Sequence, residues 1–368
     1  MRTLHLDFET ASGVDLKAVG VENYVRHRDF AVTAIAWAFD NEPVLSRYWP
    51  MSSLPNEIRD HIKDGGVVKA WNAAFEWNVL TYKYSLTIPH EQMDCVMQRA
   101  SAWGLPMSLQ DAGDALALPI VKDKLARSLM LSMGKPKKDG TYWHLDPSNT
   151  AQNRLHDLAV YCQRDVEAER ALDKVVPPLA RFEKKLSIAD AKINQKGVPV
   201  DMKAVLALKT AVTIEKGKID NECGVLTGGV VTSPGTQTAM LMAWLQSQGC
   251  VMGGLTKADV SAALKRPLAP TVKRVLMLRQ QAARASVAKL DRMLGWASCH
   301  DFRARNLLQF YGAGRTGRWA GRGIQVQNLP RPAKGLKPDT IIKIAQVDPG
   351  ALGLFGADPL AAISGALR

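Results

Sequence analysis

Two carboxylates set into an apolar strand constrain this chain more than any other feature. Leu4-His5-Leu6-Asp7-Phe8-Glu9-Thr10 alternates so that Leu4, Leu6 and Phe8 share one face while His5, Asp7 and Glu9 share the other. Residues two apart on a strand lie roughly 6 to 7 Å apart, so Asp7 and Glu9 can lean toward one divalent cation between them. A half-exposed edge strand with solvated acids would show the same pattern. The rest of the chain has to decide between the two.

With 368 residues the chain exceeds one typical hydrophobic core, so two or more domains are expected. No apolar run approaches the roughly 20 residues of a membrane span, and Met1-Arg2-Thr3 leads directly into the strand, so neither a membrane partner nor export is expected. Cys95, Cys162, Cys223, Cys250 and Cys299 are odd in number, scattered and without a Cys-x-x-Cys pair. They read as reduced thiols of a cytoplasmic protein without structural zinc. The net charge of +13 is divided unevenly. Residues 1 to 178 hold 20 Lys and Arg against 23 Asp and Glu, a net of −3, which leaves +16 for the remainder. An acidic half joined to a basic half suggests a metal-binding or catalytic unit followed by a surface for a polyanion, although a solvated basic face has the same composition.

Along the first half, residues 13 to 29 read as polar and irregular, and Ala31 to Phe39 as a buried strand forming a hairpin with the first. Asn56 to Lys63 suits a short helix. Val67 to Trp71 is a third strand, ending at Asn72, and Asn72-Ala73-Ala74-Phe75-Glu76 opens a helix with Glu76 in its first turn. Residues 121 to 136 are basic and rich in Met and Leu, either a groove for a strand or an ordinary amphipathic helix. Asn149 or Thr150 is expected to cap a long helix running to Pro177-Pro178, in which Tyr161 and Asp165, four apart, share a face. Taken singly, each of these acids has a structural explanation.

Together, Asp7-Phe8-Glu9-Thr10, Asn72-Ala-Ala-Phe75-Glu76 and Tyr161-Cys-Gln-Arg-Asp165 resemble the three motifs of the DEDD 3′-to-5′ exonucleases, in the tyrosine-bearing form found in family A DNA polymerases. The resemblance implies an α/β, RNase H-like exonuclease domain over residues 1 to 178, a mixed sheet flanked by helices. It also implies two Mg²⁺ or Mn²⁺ ions held by carboxylates. Asp7 and Asp165 would be direct ligands, Glu9 would serve metal and the terminal 3′ hydroxyl, and Tyr161 would orient water. Asn72 and Phe75 would meet the nucleic acid. The family's second motif usually ends in aspartate where this chain has Glu76, still a hard oxygen ligand but longer by a methylene.

In the second half, Phe182, Leu186, Ala189 and Ile193 mark a helix ending at Gly197, and Val198 to Asp201 makes a short extended turn. This junction, followed by Ser233-Pro234-Gly235-Thr236-Gln237 and Met240 to Leu245, is similar to the passage of family A polymerases into a thumb. We therefore expect a mainly helical, thumb-like DNA-binding region over residues 179 to 302. Helices are expected over Met202–Cys223, Asp259–Leu264 and Thr271–Leu294, with Arg279, Arg284, Lys289 and Arg292 as phosphate contacts or as a solvated helical face. From 303 to 368 the run around Arg315-Thr316-Gly317-Arg318-Trp319-Ala320-Gly321-Arg322 and Gln325-Val326-Gln327-Asn328-Leu329-Pro330 resembles the beginning of the palm. There Arg315, Thr316, Arg318, Arg322, Gln325, Gln327 and Asn328 would touch primer-template duplex.

The palm aspartates, the fingers helix and the last catalytic strand of that family would follow this loop, and the chain ends at Arg368 before them. The expected function is therefore the proofreading portion of a DNA polymerase in replication, acting on single-stranded 3′ ends and primer-template DNA. Nucleotide incorporation is not expected from this chain alone, and a separate chain would carry palm and fingers. The alternative is a primer-template-binding subunit without catalysis, or an inactive fragment of a split polymerase in which Leu352, Leu354, Phe355 and Leu360 would be left exposed.

Overall fold

A computed structural model of the protein describes residues 2–51, 53–118, 124–283, 288–332, 335, 337–355 and 358–367, with the side chains of 124–126 and 354–355 left aside. By compactness the chain divides into two units: Met1–Pro199 with Gly295–Ile324, and Val200–Leu294 with Gln325–Arg368. These limits differ from the boundaries at 178 and 302 expected from the sequence, chiefly because the chain leaves the first unit and returns to it.

The first unit is built on a five-stranded mixed sheet. In chain order its elements are β1 (Thr3–Ala11), α1 (Leu16–Val25), β2 (Ala31–Phe39), β3 (Leu45–Tyr48), α2 (Asn56–Lys63), β4 (Val67–Ala70), α3 (Ala73–Asn78), β5 (Met93–Cys95), α4 (Val96–Ala102), α5 (Leu109–Ala115), α6 (Lys124–Met133), α7 (Asn149–Val175) and α8 (Arg181–Lys196). The strand order is β3-β2-β1-β4-β5, so the acidic strand β1 is central and not an edge. It pairs antiparallel with β2 and parallel with β4.

The sheet's two faces follow from the composition of β1 and β2. On one face Leu4, Leu6 and Phe8 pack with Ile35, Trp37 and Phe39 over α2 and α3. On the other, Ala34, Ala36 and Ala38 form a shallow surface on which Leu155, Leu158, Ala159, Cys162 and Val166 of α7 lie buried. Small side chains on the strand let a helix approach closely, and a buried α7 is the result. The cross-strand partners of Ala38, Ala36 and Ala34 are His5, Asp7 and Glu9, which puts the polar face of β1 on the side that α7 covers.

Two expectations are corrected here. Residues 13 to 29 are not irregular throughout, because Asp15 caps α1 by accepting from the backbone N–H groups of Lys17 and Ala18. Gly20, at φ 77°, interrupts that helix and removes the periodicity that would have announced it. The cap of α7 is Ser148, which accepts from Ala151 N–H, one residue earlier than expected.

The returning segment forms β7 (Arg303–Ala304), paired with β6 (Val198–Pro199), and a hairpin of β8 (Leu308–Ala313) and β9 (Arg318–Gly321). Its anchor in the first unit is Trp296, whose indole N–H donates to the Lys17 carbonyl at 3.3 Å. A Cβ at Gly20 or Gly323, both at positive φ, would come within 2.9 and 2.5 Å of this ring. Arg305 adds an ion pair with Glu22, 3.1 Å away.

The second unit is helical: α9 (Met202–Leu226), α10 (Thr238–Ser247), α11 (Lys257–Ala263), α12 (Pro270–Ala282), most of α13 (Ala288–Trp296), α14 (Pro338–Val347) and α15 (Pro359–Ala366). The basic helical region expected over Thr271–Leu294 is described as α12 and α13, with residues 284–287 outside the described residues. Leu352 and Leu360 are buried, contrary to the exposure expected for a fragment, because α14, the 3-10 segment Pro349–Phe355 and α15 pack together onto α9. The side chains of Leu354 and Phe355 lie outside the described residues.

Candidate metal centre

Four positions on α7 face β1. Tyr161, Asp165, Glu169 and Asp173 follow at intervals of four and so share one side of the helix. Opposite them, running the other way, stand Glu9, Asp7 and His5. The structure brings Asp7, Glu9 and Asp165 together, each offering a carboxylate oxygen within 4.8 Å of the others. A bulge in the β1–β2 pairing directly after Glu9 shifts the strand at this point, as bulges beside functional sites do. The Tyr161 hydroxyl is hydrogen-bonded to Asp165, and the Cys162 thiol lies 3.1 Å from Asp7 Oδ2.

The electrostatics of this group are one-sided. Apolar surroundings push the Asp7 carboxyl up to about 6, with the neighbouring Glu169 charge adding to the effect against the Cys162 hydrogen bond. The same desolvation, together with the Asp7 charge, pushes Asp165 up to about 8. Glu9 is raised well above the ordinary carboxylate value by burial and by repulsion from Asp7, Asp165 and Glu76. Among the described residues, the charged groups acting on these three carboxyls are all other carboxylates. Like charges gathered out of water favour protonation or a bound cation. Three hard oxygen donors, with a further buried carboxylate nearby, fit Mg²⁺ or Mn²⁺ and not a soft metal.

Glu76 is the expected member that the structure does not gather into the group. It lies in the first turn of α3, which begins directly after β4 and Trp71-Asn72, and is only 4% exposed. Burial and the charge of Asp7 raise its carboxyl well above the usual range, so it feels the centre without joining it. Its Oε2 has no hydrogen-bond partner among the described residues. Asn72 is exposed at the N-cap of α3 and makes no capping bond with its side chain, while Phe75 is half-buried against Tyr24, ring centroids 6.4 Å apart.

Beside this centre stand His5, Glu169, Asp173, Lys69 and Arg99, for which the sequence suggests no role. His5 Nδ1 donates to Glu169 Oε2 at 2.7 Å, and both side chains are almost fully buried. One turn further along α7, Asp173 receives Lys69 of β4 at 2.8 Å and Arg99 of α4. Arg99 also bonds Asp94 at 3.2 Å and the carbonyls of Pro177 and Val176. The sequence signals were Glu169 four residues beyond Asp165 and His5 two before Asp7.

The nucleic-acid candidates divide between the two units. In the first, Arg315, Thr316 and Arg318 are exposed at the tip of the β8–β9 hairpin and Arg322 just beyond it. The hairpin is held to α8 by Trp319 Nε1, which donates to the buried Asp190 at 2.8 Å, and by the Tyr311 hydroxyl, which donates to Glu183. In the second, Lys289 donates to the carbonyls of Gln325 and Asn328 at 3.2 and 3.1 Å. Arg279 donates to those of Pro234 and Gly235 at 3.1 and 2.9 Å. These two cations therefore shape the loops beside them. Gln325, at φ 51°, accepts from Asn328 Nδ2 at 3.1 Å, and Gln327 is exposed. Arg284 lies outside the described residues.

An α/β sheet carrying a carboxylate centre under a long helix, followed by a helical unit, describes the architecture. Its relationship comes from the sequence: over 340 residues the chain is 36% identical to the DNA polymerase of Bacillus phage SP02, covering 90% of this chain and 52% of that protein. The chain spans about half the length of this curated relative. No protein-family model matches it. Among solved structures it is similar to the POL domain of Pol1 from M. smegmatis in complex with DNA primer-template and dNTP. There the identity is 15% and the TM-score 0.49, with 89% of this chain and 53% of that one covered. Among the described residues, no helix is long and apolar enough to cross a membrane.

Proposed function

We propose that this chain is the 3′-to-5′ exonuclease, or proofreading, portion of a family A DNA polymerase involved in replication, with the RNase H-like arrangement in its first unit. One observation carries the reading: Asp7, Glu9 and Asp165, from a central strand and a distant helix, converge with no cation among the described residues to neutralise them. Asp7 and Asp165 would hold the ions, with Glu9 between them and the 3′ end. Two bound Mg²⁺ or Mn²⁺ ions would activate water and stabilise the leaving 3′ oxygen.

The chain's own groups supply position. The hydrogen bond to Asp165 fixes the Tyr161 hydroxyl, so that it can orient water at the scissile phosphate. Asn72, exposed at the start of α3, and Phe75 would meet the terminal nucleotides. The arginines of the β8–β9 hairpin suit phosphates of primer-template duplex. A second reading, a binding subunit without catalysis, is favoured by Glu76 standing apart from the three gathered carboxylates.

The test is degradation of a 5′-labelled primer, matched or mismatched at its 3′ end, with Mg²⁺ or Mn²⁺. A stepwise ladder is expected from the wild type, reduced at least a thousandfold in Asp7→Ala while duplex affinity is unchanged. Primer-template binding without degradation under either metal would overturn the exonuclease and leave the binding subunit.

A further inference from the structure

The side of α7 that faces β1 matches the strand step for step. Two residues of strand advance about 6.6 Å and four residues of helix about 6 Å, so successive pairs form rungs nearly in register. Glu9 stands near Tyr161, Asp7 near Asp165, and His5 is bonded to Glu169. The middle rung is repulsive. With Glu9 beside it, it pushes the strand and the helix apart whenever no cation lies between them.

Two hydrogen-bonded contacts between side chains of β1 and α7 oppose that push among the described residues. One is the thiol of Cys162 on Asp7, a weak donor. The other is the His5–Glu169 bond, 2.7 Å long, buried, and one step from the middle rung on both elements. Glu169 Oε1 has no partner among the described residues, so its attachment to the strand rests on Oε2. We propose that His5 and Glu169 are positioning residues that hold β1 and α7 at the separation at which Asp7 and Asp165 can share a cation. The inference rests on the metal-centre reading above. It concerns distance and not charge: the bond keeps the site assembled before the ion arrives.

The experiment is calorimetric titration of the full chain with Mn²⁺ alone, beside thermal unfolding in metal-free buffer. His5→Phe is expected to weaken Mn²⁺ binding about tenfold, the scale on which outer partners of metal ligands act. Glu169→Gln, which keeps an acceptor for His5, should bind within about threefold of wild type. Because a single deletion strands a buried polar group, the decisive variant is the double change His5→Phe/Glu169→Met, which removes both partners together and is expected to fold. Loss of Mn²⁺ affinity in the double variant, with melting at or above that of wild type, would establish the positioning role. Wild-type affinity in the folded double variant would overturn it, as would a loss in Glu169→Gln equal to that of the double change. If the wild type shows no Mn²⁺ uptake that Asp165→Asn abolishes, the metal centre itself falls, and this inference with it. Mn²⁺ uptake without primer degradation removes the exonuclease alone and leaves the positioning role standing.

Discussion

The two ends of the α7–β1 interface meet the same problem, acids buried between a helix and a sheet, in opposite ways. Toward the C-terminal end of α7, Asp173 is met by Lys69 and Arg99, and Glu169 by His5. Burial alone would raise the Asp173 carboxyl, but the hydrogen bonds from Lys69 and Arg99 outweigh it and hold it below the ordinary value. Two turns earlier, Asp165, Asp7 and Glu9 are raised with no such help among the described residues. Among the described residues a lysine and an arginine reach one end, and no protein cation acts on the carboxylates at the other. Compensated acids hold the structure together, whereas uncompensated ones store repulsion that a cation can relieve.

The largest effect expected from this contrast is a difference of sign. Arg99→Leu should destabilise the first unit by about 3 to 5 kcal/mol, because it strands buried carboxylates and also abandons backbone carbonyls. Asp165→Asn should instead raise the melting temperature in metal-free buffer at pH 8. Urea or thermal unfolding of both variants decides the matter, and destabilisation by Asp165→Asn would break the comparison.

The pH dependence should separate the two ends next. Asp7 and Asp165 bind protons more tightly folded than unfolded, so their contribution is fully present below about pH 4. It is lost as pH rises through about 6 for Asp7 and about 8 for Asp165. Asp173 behaves oppositely, stabilising above about pH 4 and failing as acid is added. Metal-free protein is therefore expected to melt about 5 °C lower at pH 8 than at pH 5, with Mn²⁺ removing most of the difference. A flat profile between these pH values would deny the stored repulsion.

The smallest effect concerns Glu76. A displacement of about 1 Å within a catalytic set can cost a hundredfold. Glu76 stands outside the three gathered carboxylates, so Glu76→Asp should change the rate of primer degradation less than tenfold. A larger change, measured on a mismatched primer with saturating metal, would place it inside the set.

How far the sequence led can be read at individual residues. Asp7 and Glu9 were legible because strand alternation is local and acids on a buried strand are conspicuous. Asp165 was legible because Tyr161 lies one helical turn before it. Alternation also placed His5 on the acidic face, but its partner lies 164 residues away in the chain and no local pattern connects them. Lys69 and Arg99 were invisible for the same reason. The helix α1 escaped because Gly20 breaks its periodicity, and no local pattern announced that Lys289 and Arg279 donate to backbone carbonyls of other loops. Local rules give faces and caps, whereas tertiary partners decide what a charge is for.

The return of the chain to its first unit bears on how the protein is made. β6 has its strand partner in β7, and the pocket of Gly20 is filled by Trp296, so a ribosome that has emitted residues 1 to 199 has produced a body with vacant seats. Residues 200 to 294 must then be synthesised before those seats can be taken, several seconds later at ordinary elongation rates of about 5 to 20 residues per second. Much of the helical second unit thus emerges while the first is still waiting, and the first is completed before the second receives its last 44 residues.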